Sequence, residues 1–424
     1  MEKMITNSNI PGKSFYNNII RMRTLICVAC MLVLFSCNKD PLEPGSSSSI
    51  KLISTENAPK RVKMTSSING KLLAFYTSEA QGDAAFKQEL FLLNQSGEVL
   101  KKVSVADTVY QYMNAIPAVN GGFMLIASDN SSSHFSLFHI GDNGDVLWSK
   151  NIPLFVGKII NEPMITSYNN DYLVVYQSYS WGYYLWKGNA NGNDILHKKI
   201  PIPNAQHYGS GLNYGEKYSR FIQGNDSLII IQGITYDEYD RMIENCFIRT
   251  VDENVNKEWY STNYDSTHIE SSSGLFYSMD NKIILFGTKS TESILEGYGD
   301  AFARVYSTTG ILENEYVYPR VGGTINTFKQ TVKSPDGGYL MVGSNNQLPS
   351  NLVVSPTQLA MIKLNPDLTM SWSKIIDSSV PAKGFDVTYL SDGSIGVIEL
   401  LKDNNTTNKL IYFHLDSSGN LINN

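Results

Sequence analysis

Aromatic side chains are concentrated in the long polar segments that separate apolar runs between residues 179 and 298. The rings predicted to bind a ligand are Trp181, Tyr179, Tyr183, Tyr208, Tyr236, Tyr239 and Tyr298. Flat aromatic faces bind sugars or peptides, and Trp181 is the first choice because its short loop leaves little room to bury an indole. The alternative is that these rings pack the loops down, since tyrosine is common throughout the chain, with 25 residues.

Carboxylates accompany these rings and could accept hydrogen bonds from ligand hydroxyl groups. The acidic residues of the same segments are Asp237, Glu238, Asp240, Glu292, Glu296 and Asp300. A pair of carboxylates about 5–10 Å apart can hydrolyse a glycoside, so a glycan-active enzyme of hydrolase or lyase type is the alternative function. The acids are too numerous to choose a pair, and the catalytic residues stay unassigned.

The sequence predicts neither a metal nor a cofactor. His134, His207 and His268 all fall in the connections on one side of the repeat, but they lie far apart and lack the spacing of a zinc site. His139, His197 and His414 fall in or beside strands and are interpreted as packing residues. The chain has no phosphate-binding loop, dinucleotide fingerprint, H-E-x-x-H or nucleophile elbow.

The N-terminal segment has the features of an export signal. Residues 24–35 form a twelve-residue apolar stretch behind two arginines, too short to span a bilayer as a helix. The stretch ends in Leu34-Phe35-Ser36-Cys37, which resembles a bacterial lipobox. The resemblance implies that Cys37 is lipidated and becomes the mature N-terminus. An ordinary secretory signal or an N-terminal anchor helix is the alternative, and either Met1 or Met22 could be the start.

This interpretation divides the chain into a signal peptide (1–36), a lipidated cysteine with a flexible Ser-rich tether (37–49) and a single folded domain (50–424). The residues behind Cys37 loosely resemble those of outer-membrane lipoproteins of Bacteroidota. The resemblance implies an outer-membrane protein held by its lipid, with a periplasmic or cell-surface orientation left open. After removal of the signal, 30 bases and 39 acids leave a net charge of −9, so nucleic acid is not an expected partner.

Two turn landmarks recur together along the rest of the chain and define a repeat of roughly 50 residues. The first falls at Gly70, Gly122, Asn170, Asp226, Asn281, Gly338 and Gly393; the second falls at Gly97, Gly144, Gly192, Asn254, Gly310, Asp367 and Gly419. Each copy contains four short apolar runs. The pattern therefore predicts an all-β fold: a seven-bladed β-propeller of four-stranded antiparallel blades, with six or eight blades as the alternative.

The third and fourth runs share a phrase, seen in FHIGDNGDVLWSK and IKLNPDLTMSW. It is similar to the repeats of pyrroloquinoline-quinone-type propellers, although the ligand set of the quinone enzymes is not recognisable. The resemblance implies that Trp148, Trp259 and Trp372 pack between blades. The last copy has only the stub Leu421–Asn424 as its fourth strand, so we expect the stretch 50–55 to cover that open edge.

The connections also predict where a ligand binds. Tight turns join the first strand to the second and the third to the fourth, so antiparallel pairing places them all on one face, and the long loops share the other. Binding residues usually lie on variable loops held by a rigid scaffold. The sequence therefore favours a binding or scaffold protein, rather than an enzyme, that presents the loop-rich face to a glycan, peptide or protein.

Overall fold

The fold was analysed in a computed structural model, in which residues 47–424 form one compact unit. The structure describes residues 50–422 apart from segments that lie mostly between strands. The longer of these segments are 79–86, 106–109, 129–132, 201–216, 224–227, 237–243, 253–256, 263–268, 291–298, 347–357, 377–381 and 404–406. Side chains between residues 201 and 269 are also outside the description, although the strands there are assigned.

The described residues form short strands of five to nine residues, as the alternating apolar runs predict. In chain order the strands are β1 Ile50–Glu56, β2 Pro59–Ser66, β3 Leu72–Ser78, β4 Lys87–Leu93, β5 Val99–Val103, β6 Tyr112–Pro117, β7 Phe123–Ser128, β8 His134–Ile140, β9 Val146–Pro153, β10 Met164–Tyr168, β11 Asp171–Ser178, β12 Gly182–Gly188, β13 Asp194–Ile200, β14 Lys217–Gln223, β15 Leu228–Tyr236, β16 Glu244–Asp252, β17 Lys257–Thr262, β18 Ile269–Tyr277, β19 Lys282–Ser290, β20 Asp300–Ser307, β21 Leu312–Tyr318, β22 Ile325–Lys333, β23 Tyr339–Asn346, β24 Gln358–Leu364, β25 Met370–Ile376, β26 Ala382–Tyr389, β27 Ile395–Asp403 and β28 Thr407–Leu415.

These strands form four-stranded antiparallel sheets, which confirms this part of the prediction. We call the sheets made of consecutive strands blades. Six blades consist of four consecutive strands each: blade 1 is β2–β5, and blades 2 to 6 follow in order up to β22–β25. The remaining strands form a composite sheet in the order β1-β28-β27-β26. The described strands therefore form six blades, the alternative count, and not the seven that the sequence predicted. The seventh repeat unit forms the composite sheet, which combines strands from both ends of the described chain.

The first strands of the sheets form an inner ring. Each contacts the first strand of the next sheet, in the order β2, β6, β10, β14, β18 and β22, and then β26, which contacts β2. Side-chain bonds join the two ends of this circuit: the Met64 backbone amide donates to Asp386 Oδ2 at 2.9 Å, and Ser66 Oγ lies 3.1 Å from Thr388 Oγ1. The sheets are therefore arranged as the blades of a propeller.

The ring is completed by the N-terminal strand. β1 pairs antiparallel with β28, from Ile50 opposite Phe413 to Glu56 opposite Asn408. The expectation that this stretch covers the last edge is confirmed. Leu421, by contrast, forms a single bridge with Leu415, so the stub does not supply the fourth strand. A paired β1 removes the free edge that β28 would otherwise present to another chain.

Five-residue turns join the first two and the last two strands of nearly every sheet. In Ser67–Lys71, for example, the Ser67 amide donates to the Lys71 carbonyl and the Gly70 amide donates to the Ser67 carbonyl. The fourth residue of such a turn has positive φ, which favours glycine. Two landmarks are off by one residue: the left-handed residues are Gly337 and Leu368, not Gly338 and Asp367.

The cores lie between adjacent sheets, because second and third strands such as β7 and β8 are buried on both of their faces. One cluster joins blades 2 and 3 around Trp186 and Phe135, with Trp148 packed against it. Another joins blade 6 to the composite sheet, with Trp372 at its edge. The prediction that these two tryptophans pack between blades is confirmed; the side chain of Trp259 lies outside the described residues. Within the described part of the chain, no helix is long and apolar enough to cross a membrane.

Candidate functional site

The two faces of the ring differ in their connections. One, the turn face, carries the tight turns, such as Ser67–Lys71 and Asn94–Glu98. The other, the loop face, carries the longer segments that join the second strand to the third and each sheet to the next. Inner strands begin at the loop face and run toward the turn face. Side chains at their first residues therefore surround the axis of the ring on the loop face.

Four side chains converge near this point, and we call them the mouth cluster: Arg61 and Lys63 of β2, Tyr112 at the start of β6, and Glu162, two residues before β10. Arg61 Nη1 donates to Glu162 Oε2 at 3.0 Å, although the two residues are 101 positions apart. Lys63 Nζ lies 3.9 Å from Glu162 Oε1. The Arg61 guanidinium carbon lies 4.9 Å from the centre of the Tyr112 ring, in a cation–π arrangement.

The strands hold these groups in place. Arg61 and Lys63 lie on β2, whose alternate residues Val62 and Met64 are buried in the core. Tyr112 is the first residue of β6 and is also buried. A buried ring beneath an exposed guanidinium gives that cation a fixed support. Arg61, Lys63 and Tyr112 therefore rest on strands, whereas Glu162 lies in the connection between β9 and β10, two residues before β10 begins.

The cluster can bind an anion. Its two cations face one carboxylate, and the Arg61 side chain keeps 48% of its surface exposed. A guanidinium presents several donors in a planar fork that matches carboxylate, sulfate or phosphate oxygens. Within the described residues, Glu162 Oε1 accepts no hydrogen bond, so Lys63 is held only loosely. An incoming anion could therefore bind Lys63 without breaking a short hydrogen bond.

Most of the aromatic residues predicted to bind ligand lie outside the described residues: Tyr179, Trp181, Tyr208, Tyr239 and Tyr298. Tyr236 is the last residue of β15, and its side chain is not described. Cys37 and its tether are also outside the description. Their proposed roles stay predictions.

Tyr183 is placed differently from the prediction. It lies in β12 opposite Gln177 and Ile200, and only 3% of it is exposed. Its ring packs in a core cluster with Tyr168 and Leu185. β12 begins at Gly182, so Tyr183 lies within the strand and not in the loop before it. Tyr183 therefore belongs to the core and is not available to bind a ligand at the surface.

The histidines fit the packing interpretation where they are described. His139 is buried, with Nε2 2.9 Å from the Gly121 carbonyl oxygen, and His414 is buried, with Nε2 2.9 Å from Ser394 Oγ. His197 Nε2 lies 2.6 Å from the Tyr176 hydroxyl, and burial lowers the pKa of this histidine. Of the three histidines weighed as metal ligands, only His134 is described. No group of three potential metal ligands occurs among the described residues.

Two further places in the fold hold fully buried ionisable groups. Arg304 on β20 is fully buried and binds both carboxylate oxygens of buried Glu270, with Nη1 2.8 Å from Oε2. Glu399 on β27 is also fully buried, and neither of its oxygens has a hydrogen-bond partner within the described residues. Burial raises the Glu399 pKa to about 8. Arg304, Glu270 and Glu399 have no exposed surface, so we treat them as internal.

The sequence did not predict the mouth cluster, because binding residues were expected in the long loops. Arg61 and Lys63 are charged residues of a first strand, but other first strands also carry charges at or near their start, such as Lys217 and Glu270, so charge there does not mark the site. The partners of Arg61 and Lys63 could not be found from spacing, because Tyr112 and Glu162 belong to other repeats.

Comparison with known proteins identifies the fold alone. No protein-family model matches the chain, and no curated protein matches it in sequence. A structure of a protein of unknown function from Dyadobacter fermentans is similar with a TM-score of 0.50 and 9% identity, over 87% of this chain and 99% of that one. Puromycin hydrolase is similar with a TM-score of 0.51 and 10% identity over 87% of this chain. Its S511A mutant complexed with PGG gives 0.52 and 11% over 91%.

The chain spans about half the length of the puromycin hydrolase chains, 54% and 55% in the two structures. At these identities the likeness is one of architecture, and propellers of one architecture serve unrelated functions.

Proposed function

We propose that this chain is a lipid-anchored binding protein of the cell envelope that presents its loop face to an acidic glycan or peptide. The observation that carries the proposal is the mouth cluster, in which Arg61 and Lys63 share the single carboxylate of Glu162. Within the mouth cluster, the two cations outnumber the one carboxylate on an otherwise acidic chain, which provides a local site for a negatively charged group. The tyrosine ring beneath it adds a flat apolar surface.

The geometry favours binding over catalysis. Glu162 is the one carboxylate of the cluster, paired with Arg61 at 3.0 Å. Glycoside hydrolysis generally needs a second carboxyl group about 5–10 Å away, and the cluster does not include one. We expect the aromatic residues predicted to bind a ligand, Trp181 foremost, to extend the contact surface for a longer ligand.

Binding can be tested with uronate oligosaccharides and Glu-rich peptides, using isothermal titration calorimetry on the mature chain. Arg61→Ala should weaken binding of the acidic ligand by roughly 1–3 kcal/mol, the range of an interface anchor, and leave the melting temperature nearly unchanged. Arg320→Ala is the matched control, because Arg320 also forms an exposed pair, with Asp300 at 2.9 Å. Equal losses in the two variants, or ligands bound equally well without their acid groups, would contradict the proposal.

The same incubations should be analysed for products. Accumulation of shortened oligosaccharides would favour the glycan-active enzyme instead. The anchor is tested separately, by mass spectrometry of the mature N-terminus and by detergent partitioning of the Cys37→Ala variant. We expect an acylated Cys37 and a soluble variant. An unmodified N-terminus at another residue would contradict the lipoprotein assignment without affecting the binding test.

A further inference from the structure

The direction of β1 shows where the N-terminal segment joins the ring. β28 runs from the loop face at Thr407 to the turn face at Leu415, where it leads into the turn Asp416–Asn420. Because β1 is antiparallel to β28, its first residue, Ile50, lies opposite Phe413 near the turn face. The chain therefore reaches the ring at the rim of the turn face and then runs toward the loop face.

The length of the tether limits how the ring can turn. Twelve residues, 38–49, separate Cys37 from β1, and a random coil of twelve residues spans about 19 Å on average. The seven residues of β1 rise by roughly 23 Å. To bring the loop face to a membrane, the tether would have to run back along the whole height of the sheet, which stretches it beyond its average span.

The turn face also carries exposed apolar side chains. Among the described residues, eight of the ten exposed large hydrophobic side chains lie in a tight turn or within two residues of one. These are Ile68, Val99, Leu100, Leu147, Ile195, Ile311, Leu312 and Met370. Ile68 and Ile311 have the largest exposure, 66% each. Several lysines near the tight turns form ion pairs with acids, as Lys282 does with Glu313 at 2.6 Å. This pairing reduces the net charge that the turn face would present to a lipid surface.

We propose that the turn face is the membrane-facing surface of this protein, in contact with the lipid bilayer that holds its anchor, and that the loop face and the mouth cluster point away from that bilayer. The inference rests on the lipid anchor of the proposed function. The proposed function leaves the orientation of the ring open, and this inference supplies it. A ligand would reach the mouth cluster from the aqueous side, so the ring would not have to move away from the bilayer.

Orientation can be measured with two labels on one blade. Asn191 lies in the tight turn before β13, and Lys199 lies near the loop-face end of β13; both are exposed. Asn191→Cys and Lys199→Cys are made in the Cys246→Ala background, because Cys246 is the other cysteine of the mature chain. Each variant, lipidated at Cys37, is labelled with a fluorophore and reconstituted in phosphatidylcholine vesicles containing a headgroup spin-labelled lipid. We expect the spin label to quench the Asn191→Cys label at least twice as strongly as the Lys199→Cys label.

Equal quenching at the two sites, or stronger quenching at Lys199→Cys, would overturn the orientation. The anchor is separated from the orientation by a second preparation, in which the mature chain carries a His tag in place of the lipid on nickel-chelating vesicles. The point at which the tether joins the ring is then unchanged, and the tether is longer only by the tag. A lipoprotein that fails to float with vesicles, while the tagged chain still shows stronger quenching at Asn191→Cys, contradicts the anchor and supports the orientation.

Discussion

The indole of Trp148, on the outer strand of blade 2, occupies the space that a side chain on Gly192 of blade 3 would need. A Cβ built on Gly192 would lie 2.8 Å from the Trp148 ring. Gly419 of the composite sheet stands in the same relation to Trp372 of blade 6, at 2.7 Å. A glycine in the last turn of one sheet thus receives the tryptophan of the sheet before it, which sets the spacing between neighbours.

Gly192→Ala should therefore lower the free energy of unfolding by more than the backbone strain of an alanine at φ 72° alone would. We expect about 1 kcal/mol from the left-handed conformation and about 1–3 kcal/mol more from overpacking against the indole. Urea unfolding measures the sum. Gly393→Ala is the control, because Gly393 has φ 82° but no atom within 4 Å of the added Cβ. Equal losses in the two variants would contradict the contact, and Trp148→Leu should remove the excess.

The buried pair Arg304–Glu270 gives a second prediction. Burial opposes the charged guanidinium, yet hydrogen bonds and charge from Glu270 raise the Arg304 pKa above its usual range. Arg304→Met leaves Glu270 buried without its cation and should cost about 3–5 kcal/mol of unfolding free energy, whereas Arg304→Met with Glu270→Met should recover much of it. Lys282→Met, at an exposed pair, should cost at most about 1 kcal/mol. No recovery in the double variant would show that the loss is one of packing rather than charge.

Glu399 predicts a dependence of stability on pH. Its pKa is raised from 4.5 to about 8 because the carboxyl is fully buried. Below pH 4.5 the group is protonated in both states. Between pH 4.5 and 8 the unfolded chain releases the proton that the folded chain keeps, so this stabilising contribution is lost as pH rises, by roughly 5 kcal/mol in all.

Glu399→Gln cannot ionise and should lose this dependence. We expect the free energy of unfolding of the variant, relative to the parent, to rise steadily between pH 5 and 8, because other titrating groups cancel in the difference. Urea titrations of both proteins at four pH values measure it. A difference that stays constant with pH would mean that water or a cation reaches the carboxylate in the folded protein.

Closure by β1 gives the fourth prediction. Deleting residues 38–56 removes a strand with six paired positions and exposes the edge of β28. At about 1 kcal/mol for each lost backbone hydrogen bond, the loss should be on the order of 5 kcal/mol, with a tendency to self-associate. Deleting residues 38–49 removes the tether alone and should leave the melting temperature unchanged. Matching melting temperatures and matching sedimentation of the two deletions would contradict closure by β1.

The architecture could be predicted from sequence because its signals are local. A turn such as Asn94–Glu98 needs a left-handed residue at a fixed place, so Gly97 marks it without reference to any other blade. Alternation and length of apolar runs identify strands in the same way. The two displaced landmarks show the limit of such signals: Leu368 adopts φ 68° although leucine disfavours it, and it is buried while its carbonyl accepts the Tyr318 hydroxyl at 2.9 Å. Tertiary packing there overrides local preference.

The sequence by itself determined the repeat, the four-stranded blade, the separation of tight turns from long loops and the need for something to cover the last edge. Only the tertiary structure decided that Tyr183 is buried, that β1 enters at the turn face, and that Arg61 meets Glu162. The reason is one of distance along the chain. Residues 101 positions apart become neighbours only when several blades have been placed around one axis, and no pattern within a single repeat carries that information.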